Sequence, residues 1–138
     1  MFNVESDVFE VSQLGSFYVF GDFNSRVRLK CDYIVHDQIN LSTDIHYVPD
    51  CNVARRASQD CSQNNYGIKL LDLCKSTGLR IVNGRLANTH QYTFISHNGC
   101  SVIDYLLTCD NDLSQLNRFC IDSYTQWSDH APLSFSLR

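Results

Sequence analysis

The chain has 138 residues, 43% hydrophobic and 12% aromatic, with a formal net charge of −4 at pH 7. That length allows one domain with one core, and no apolar run reaches the length of a membrane span. The negative balance argues against a stand-alone nucleic-acid binder driven by a global positive field, and less against an enzyme that holds its substrate locally.

Met1-Phe2-Asn3-Val4-Glu5 lacks the basic start and apolar stretch of a signal peptide, so an intracellular protein is expected, the nucleus included. Residues 3–14 space Val4, Val8, Val11 and Leu14 as one face of a helix, and Gly15 suits its end. Phe17-Tyr18-Val19-Phe20 predicts a strand over 16–20. It delivers Gly21-Asp22-Phe23-Asn24, where a carboxylate and an amide two residues apart share one side of an extended stretch. The bland alternative is an Asx turn that caps the strand.

Residues 31–64 read as a long irregular insertion, preceded by an alternating Arg26–Lys30 that could be a short strand. Arg55, Arg56 and Asp60 in its last part read as a solvated charged loop. Asn40-Leu41-Ser42 fits a glycosylation sequon, taken as a chance match. The pattern Ile68, Leu70, Leu71, Leu73, Cys74 predicts a helix over 66–77, capped by Asn64 or Asn65 and closed by Gly78.

Strands are predicted at 79–83, 92–96, 101–107, 118–122 and 133–137, with a hairpin turn at His97-Asn98-Gly99. Asp104 interrupts an apolar run, where a carboxylate is costly unless paired. The seven cysteines form no CxxC pair, and their odd number reads as reduced thiols. The five histidines show no HxH or HxxxH pairing, and His130 alone stands in a suggestive context. The order of elements predicts an α/β layer with a mixed, mostly antiparallel sheet and helices on one face.

The polar exceptions form a set: Asp22 and Asn24 after one strand, Asp104 inside another, Asp129-His130 before a third. A carboxylate can act as general base or ligate a hard cation. A histidine held by an aspartate keeps its orientation and a raised pKa, and can face an anion. Asp104 is the natural partner for His130. Singly, Asp104 could instead cap a bulge and His130 could be a surface residue.

Gly21-Asp22-Phe23-Asn24-Ser25-Arg26, Ser101-Val102-Ile103-Asp104-Tyr105 and Ser128-Asp129-His130-Ala131-Pro132-Leu133 resemble, in order, the last three motifs of the endonuclease/exonuclease/phosphatase superfamily. Gly67 to Gly84 with Asn83-Gly84-Arg85, then Tyr92-Thr93-Phe94, resemble the endonuclease domains of non-LTR retrotransposons.

The resemblance implies a magnesium-dependent (or manganese-dependent) hydrolase acting on DNA. Asp22 would orient the attacking water, Asn24 would position the phosphate, and Asp104 would hold the catalytic His130. Asp129 would lie at the metal, while Thr93, Ser101 and Ser128 would line or brace the DNA-facing cleft. It also implies a four-layer α/β sandwich whose first half carries the main metal-binding glutamate. Residues 1–138 would then be one partial domain, its C-terminal portion. Its partners would be the missing N-terminal half and a fused reverse transcriptase. An inositol-lipid phosphatase and a catalytically dead binding remnant are the alternatives. An isolated portion is expected to leave one sheet face open, self-associate and turn over slowly.

Overall fold

The computed structural model describes residues 4–37, 49–50 and 53–138. The sequon at Asn40 and Cys51 lie outside the described residues. Among the described residues two helices, α1 (Val4–Ser12) and α2 (Asn65–Thr77), accompany seven strands. The strands are β1 (Tyr18–Asp22), β2 (Leu79–Ile81), β3 (Phe94–Ser96), β4 (Gly99–Ser101), β5 (Asp104–Cys109), β6 (Leu116–Ile121) and β7 (Leu133–Leu137). A 3-10 helix, Asp110–Gln115, joins β5 to β6. The class is mixed α/β with antiparallel sheets, as the patterning indicates.

The single sheet expected from the sequence is instead three small ones among the described residues: β1-β5-β2, β3-β4 and β6-β7. The break falls at Val102 and Ile103, inside the strand expected over 101–107. There the backbone donates to side chains instead of to a neighbouring strand. Val102 N–H donates to Asp60 Oδ2 at 3.0 Å, and Ile103 and Asp104 N–H both donate to Thr93 Oγ1 at 3.0 Å. Side-chain acceptors that replace ladder partners let one chain leave the β3-β4 hairpin and enter the central sheet.

In the central sheet Val19, Leu107 and Ile81 are cross-strand partners and share a face. That face packs on Val8 of α1 and on Leu70, Leu71 and Cys74 of α2. The helices therefore cover one side, as anticipated. The opposite face, expected to lie open, is largely covered by the β6-β7 hairpin. Leu106 is fully buried with Leu116 and Phe119, and the Tyr18 and Phe20 rings meet Phe135 at 5.9 and 5.5 Å. Phe20 keeps 61% of its surface exposed at the edge of this second core.

Other expected elements differ too: the strands expected at 79–83, 92–96 and 118–122 run over Leu79–Ile81, Phe94–Ser96 and Leu116–Ile121. The strand expected over 16–20 runs over Tyr18–Asp22, because pairing with β5 continues past Gly21 to Asp104. Arg26–Lys30 forms no strand. Val27 makes one bridge to Gln63, and Arg28 adopts φ 54°, which ends any extended run. In α1 only Val8 of the predicted apolar stripe is buried, packed into the core beside α2, and Ser76 Oγ of α2 donates to Glu5 Oε1 at 2.7 Å.

Helix α2 begins where Asn64 accepts the Gly67 N–H at 2.7 Å and ends at Gly78 in the left-handed conformation. A Cβ at Gly67 would sit 2.0 Å from the backbone oxygen of Arg26. In an open helix Gly→Ala would stabilise by about 1 kcal/mol. Here the clash reverses the sign, and Gly67→Ala should destabilise by about 1–3 kcal/mol in urea unfolding. A higher midpoint for the variant would contradict this close approach.

No helix among the described residues is long and apolar enough to cross a membrane.

Candidate functional site

Asp22 ends β1 and Asp104 opens β5, and the two are direct cross-strand partners. Their side chains therefore share the face opposite the helices. Two carboxylates in that relation repel each other unless a positive group stands by. His130 supplies one when protonated. Its Nδ1 lies 3.0 and 3.1 Å from the two oxygens of Asp104. Ligand atoms of Asp22, Asp104 and His130 all lie within 4.8 Å of one another. Asp104 is 8% exposed, whereas Asp22 is exposed and His130 half-buried. The trio thus has a buried anchor and an accessible rim.

The segment carrying His130 is pinned to β3. Ile95 N–H donates to Asp129 O at 2.9 Å and Ala131 N–H to Thr93 O at 2.7 Å. The imidazole also lies against the Phe94 ring, with centroids 4.8 Å apart. With Nδ1 committed to Asp104, Nε2 is the nitrogen left to meet a ligand.

Burial pulls the His130 pKa down, but the hydrogen bond and charge of Asp104, then the charges of Asp22 and Asp129, outweigh it. The net result lies above the ordinary 6.5. A raised folded-state pKa stabilises the fold fully below about 6.5, and that contribution is lost as pH rises through the folded value. Asp104→Asn should move the His130 imidazole midpoint down in an NMR titration. An unchanged midpoint would mean that the pair is not coupled.

Asn24 takes φ 50°, so it does not extend the line of β1. Its N–H donates to Asp22 Oδ1 at 2.7 Å, the Asx-type contact weighed above, and its carbonyl accepts from Asn64 Nδ2 at 2.8 Å. Asn64 also caps α2 and accepts the Arg26 N–H at 3.0 Å. One side chain thus ties the Asp22 turn to the start of α2, and Asn24 itself is exposed.

Thr93 is fully buried and acts as a brace, since its hydroxyl receives the N–H groups that lead into Asp104. Ser101 is buried opposite Phe94 and accepts the Thr93 N–H through its carbonyl at 3.0 Å. Ser128 Oγ accepts the His130 N–H at 3.1 Å and shapes the turn before it. Asp129 is exposed and stands outside the Asp22–Asp104–His130 group, although its charge reaches His130.

A second polar centre escaped the sequence reading. Arg56 and Asp60, read as solvated, are largely enclosed. Asp60 accepts from Arg26 Nε and Nη2 at 2.9 and 2.7 Å and from the Ser62 and Val102 backbone. Asp32, 0% exposed, accepts from Arg85 Nη1 and Nη2 at 2.8 and 2.7 Å and from Ile81 N–H at 2.7 Å, with Arg56 Nε 4.0 Å away. Buried Arg80 pairs with Asp50. A charge inside the apolar run Leu79-Arg80-Ile81-Val82 was the available signal, of the same kind that singled out Asp104.

No protein-family model and no curated protein matches the sequence.

Proposed function

We propose that this chain hydrolyses phosphodiester bonds in nucleic acid with the aid of a divalent cation, as the endonuclease of a retrotransposon-like protein. The convergence of Asp22, Asp104 and His130 carries the proposal. Asp22, exposed and fixed by the Asn24 turn, holds the attacking water and takes its proton. His130, protonated and oriented by Asp104, presents Nε2 to a phosphate oxygen and stabilises the charge that gathers there. Asn24 offers its amide to the same phosphate. This division suits phosphoryl transfer, which depends on positioning and electrostatics more than on covalent help.

The residues fit a hard cation. Asp104 is committed to His130, while Asp22 at the exposed rim offers a carboxylate oxygen, and magnesium binds through one or two carboxylates with waters and substrate oxygens completing the shell. Asp22 would hold it, and Asp129, whose charge reaches His130, would add to the negative field around it. When bound, the ion supplies Lewis-acid stabilisation of the phosphoryl oxygens.

Turnover should be slow. Glu5 and Glu10 lie in α1, whose one buried side chain belongs to the core on the opposite face of the central sheet, and neither joins the trio. The test is hydrolysis of bis(p-nitrophenyl) phosphate against p-nitrophenyl phosphate, with magnesium or manganese. Release from the diester supports the proposal. Release from the monoester alone would replace it with a phosphatase.

A further inference from the structure

Trp127 is the one tryptophan of the chain and is 86% exposed. A tryptophan so exposed is unusual, because its large apolar surface gains from burial. Here it is not on a loose end. The loop that carries it is tied at both sides: Asp122 N–H donates to Pro132 O at 2.9 Å, and Ile95 N–H to Asp129 O at 2.9 Å. Between these ties Thr125 bridges Ser128, Trp127 N–H donates to Thr125 Oγ1 at 3.3 Å, and Tyr124 Oη donates to Tyr92 O at 2.9 Å. The turn holds the indole outward on a fixed frame.

Trp127 precedes His130 by three residues, which limits the separation of their Cα atoms to about 11 Å. An indole at that reach lies within one or two nucleotides of a phosphate held at His130. Tyr124, 37% exposed, lies on the same loop. The net charge of −4 gives little general attraction to a phosphate backbone, so contacts to the bases carry a larger share of recognition.

We infer that Trp127 is a stacking platform for an unpaired nucleobase flanking the scissile phosphate, so that the protein prefers single-stranded or locally opened nucleic acid to closed duplex. This rests on the phosphodiesterase reading for the location of the phosphate, but base stacking can be measured without cleavage. Aromatic stacking contributes about 10- to 100-fold in affinity per base and tolerates any base, since each has a π face.

Because Trp127 is unique, its emission reports one position. The full chain is titrated, without metal and at low salt, with a single-stranded oligonucleotide, an abasic oligonucleotide of the same length, and a duplex. Quenching is expected with the single strand and not with the abasic strand or the duplex, and it should persist in His130→Ala. Trp127→Ala should weaken binding of a labelled single strand by about 10- to 100-fold, with Trp127→Phe recovering most of it. Far-UV circular dichroism checks that both variants fold.

Equal quenching by the abasic strand, or wild-type affinity in Trp127→Ala, would overturn the inference. Diester hydrolysis without quenching would overturn stacking and leave the hydrolase reading standing. Quenching without hydrolysis would support stacking and count against the hydrolase reading.

Discussion

Asp32→Ala should destabilise the protein by about 3–5 kcal/mol, the range for breaking a buried ion pair from one side. Removing the carboxylate strands the Arg85 and Arg56 guanidinium groups, whose side chains are 3% and 4% exposed, without their counter-charge. It also leaves the Ile81 N–H of β2 without its acceptor. Asp72→Ala, on the exposed face of α2, should stay within about 0.5 kcal/mol. Urea unfolding followed by circular dichroism separates the two. A small loss for Asp32→Ala would mean that the cluster is wet and weak.

The acid limb of stability follows from the same groups. Burial alone would raise the pKa of Asp32, but the Arg85 hydrogen bonds and charge, with the Ile81 N–H, bring it below the ordinary 3.8. Asp60 is lowered too, by Arg26 and two backbone donors acting against burial. A depressed folded-state pKa gives stability that is present above the unfolded value and lost as pH falls through the folded one. Unfolding should therefore set in below about pH 4, and Asp32→Asn should flatten that limb.

The second large effect is on turnover. Asp22→Ala and His130→Ala should each remove about two to four orders of magnitude, the range for a general base and for a group that stabilises phosphoryl charge. In a slow enzyme that takes the rate to the metal-and-buffer blank. Asp22→Ala should change stability little, because its side chain reaches solvent, whereas His130→Ala also leaves the buried Asp104 carboxylate without its partner and should lower stability as well. A variant that melts early yet keeps its rate per folded molecule would contradict the roles given to these residues.

Much of this site was legible because a carboxylate or histidine at a strand end stands out against apolar neighbours. Asp22, Asp104 and His130 were set apart that way, and the structure brings them together. Helix α2 was legible from its stripe and its Asn64 and Gly78 caps. The split of the sheets was not, because it depends on Thr93 and Asp60 taking backbone N–H groups from residues 10, 11 and 42 positions away. Single-sequence periodicity carries no record of such long-range bonds. The Asp32 centre was hidden for the same reason: its partners Arg56 and Arg85 are remote in sequence, and in an irregular segment a charge looks solvated until its partner is known.

The Asp22–Asp104–His130 group is proposed to act on a phosphodiester. The most direct measurement is nicking of supercoiled plasmid by the purified chain, with magnesium titrated in and then removed by chelation, beside His130→Ala prepared identically. Slow nicking that rises with magnesium, stops on chelation and falls to the blank in His130→Ala is the predicted result. A folded wild-type protein that leaves the plasmid intact at every magnesium concentration, or one that nicks no faster than His130→Ala, would contradict it.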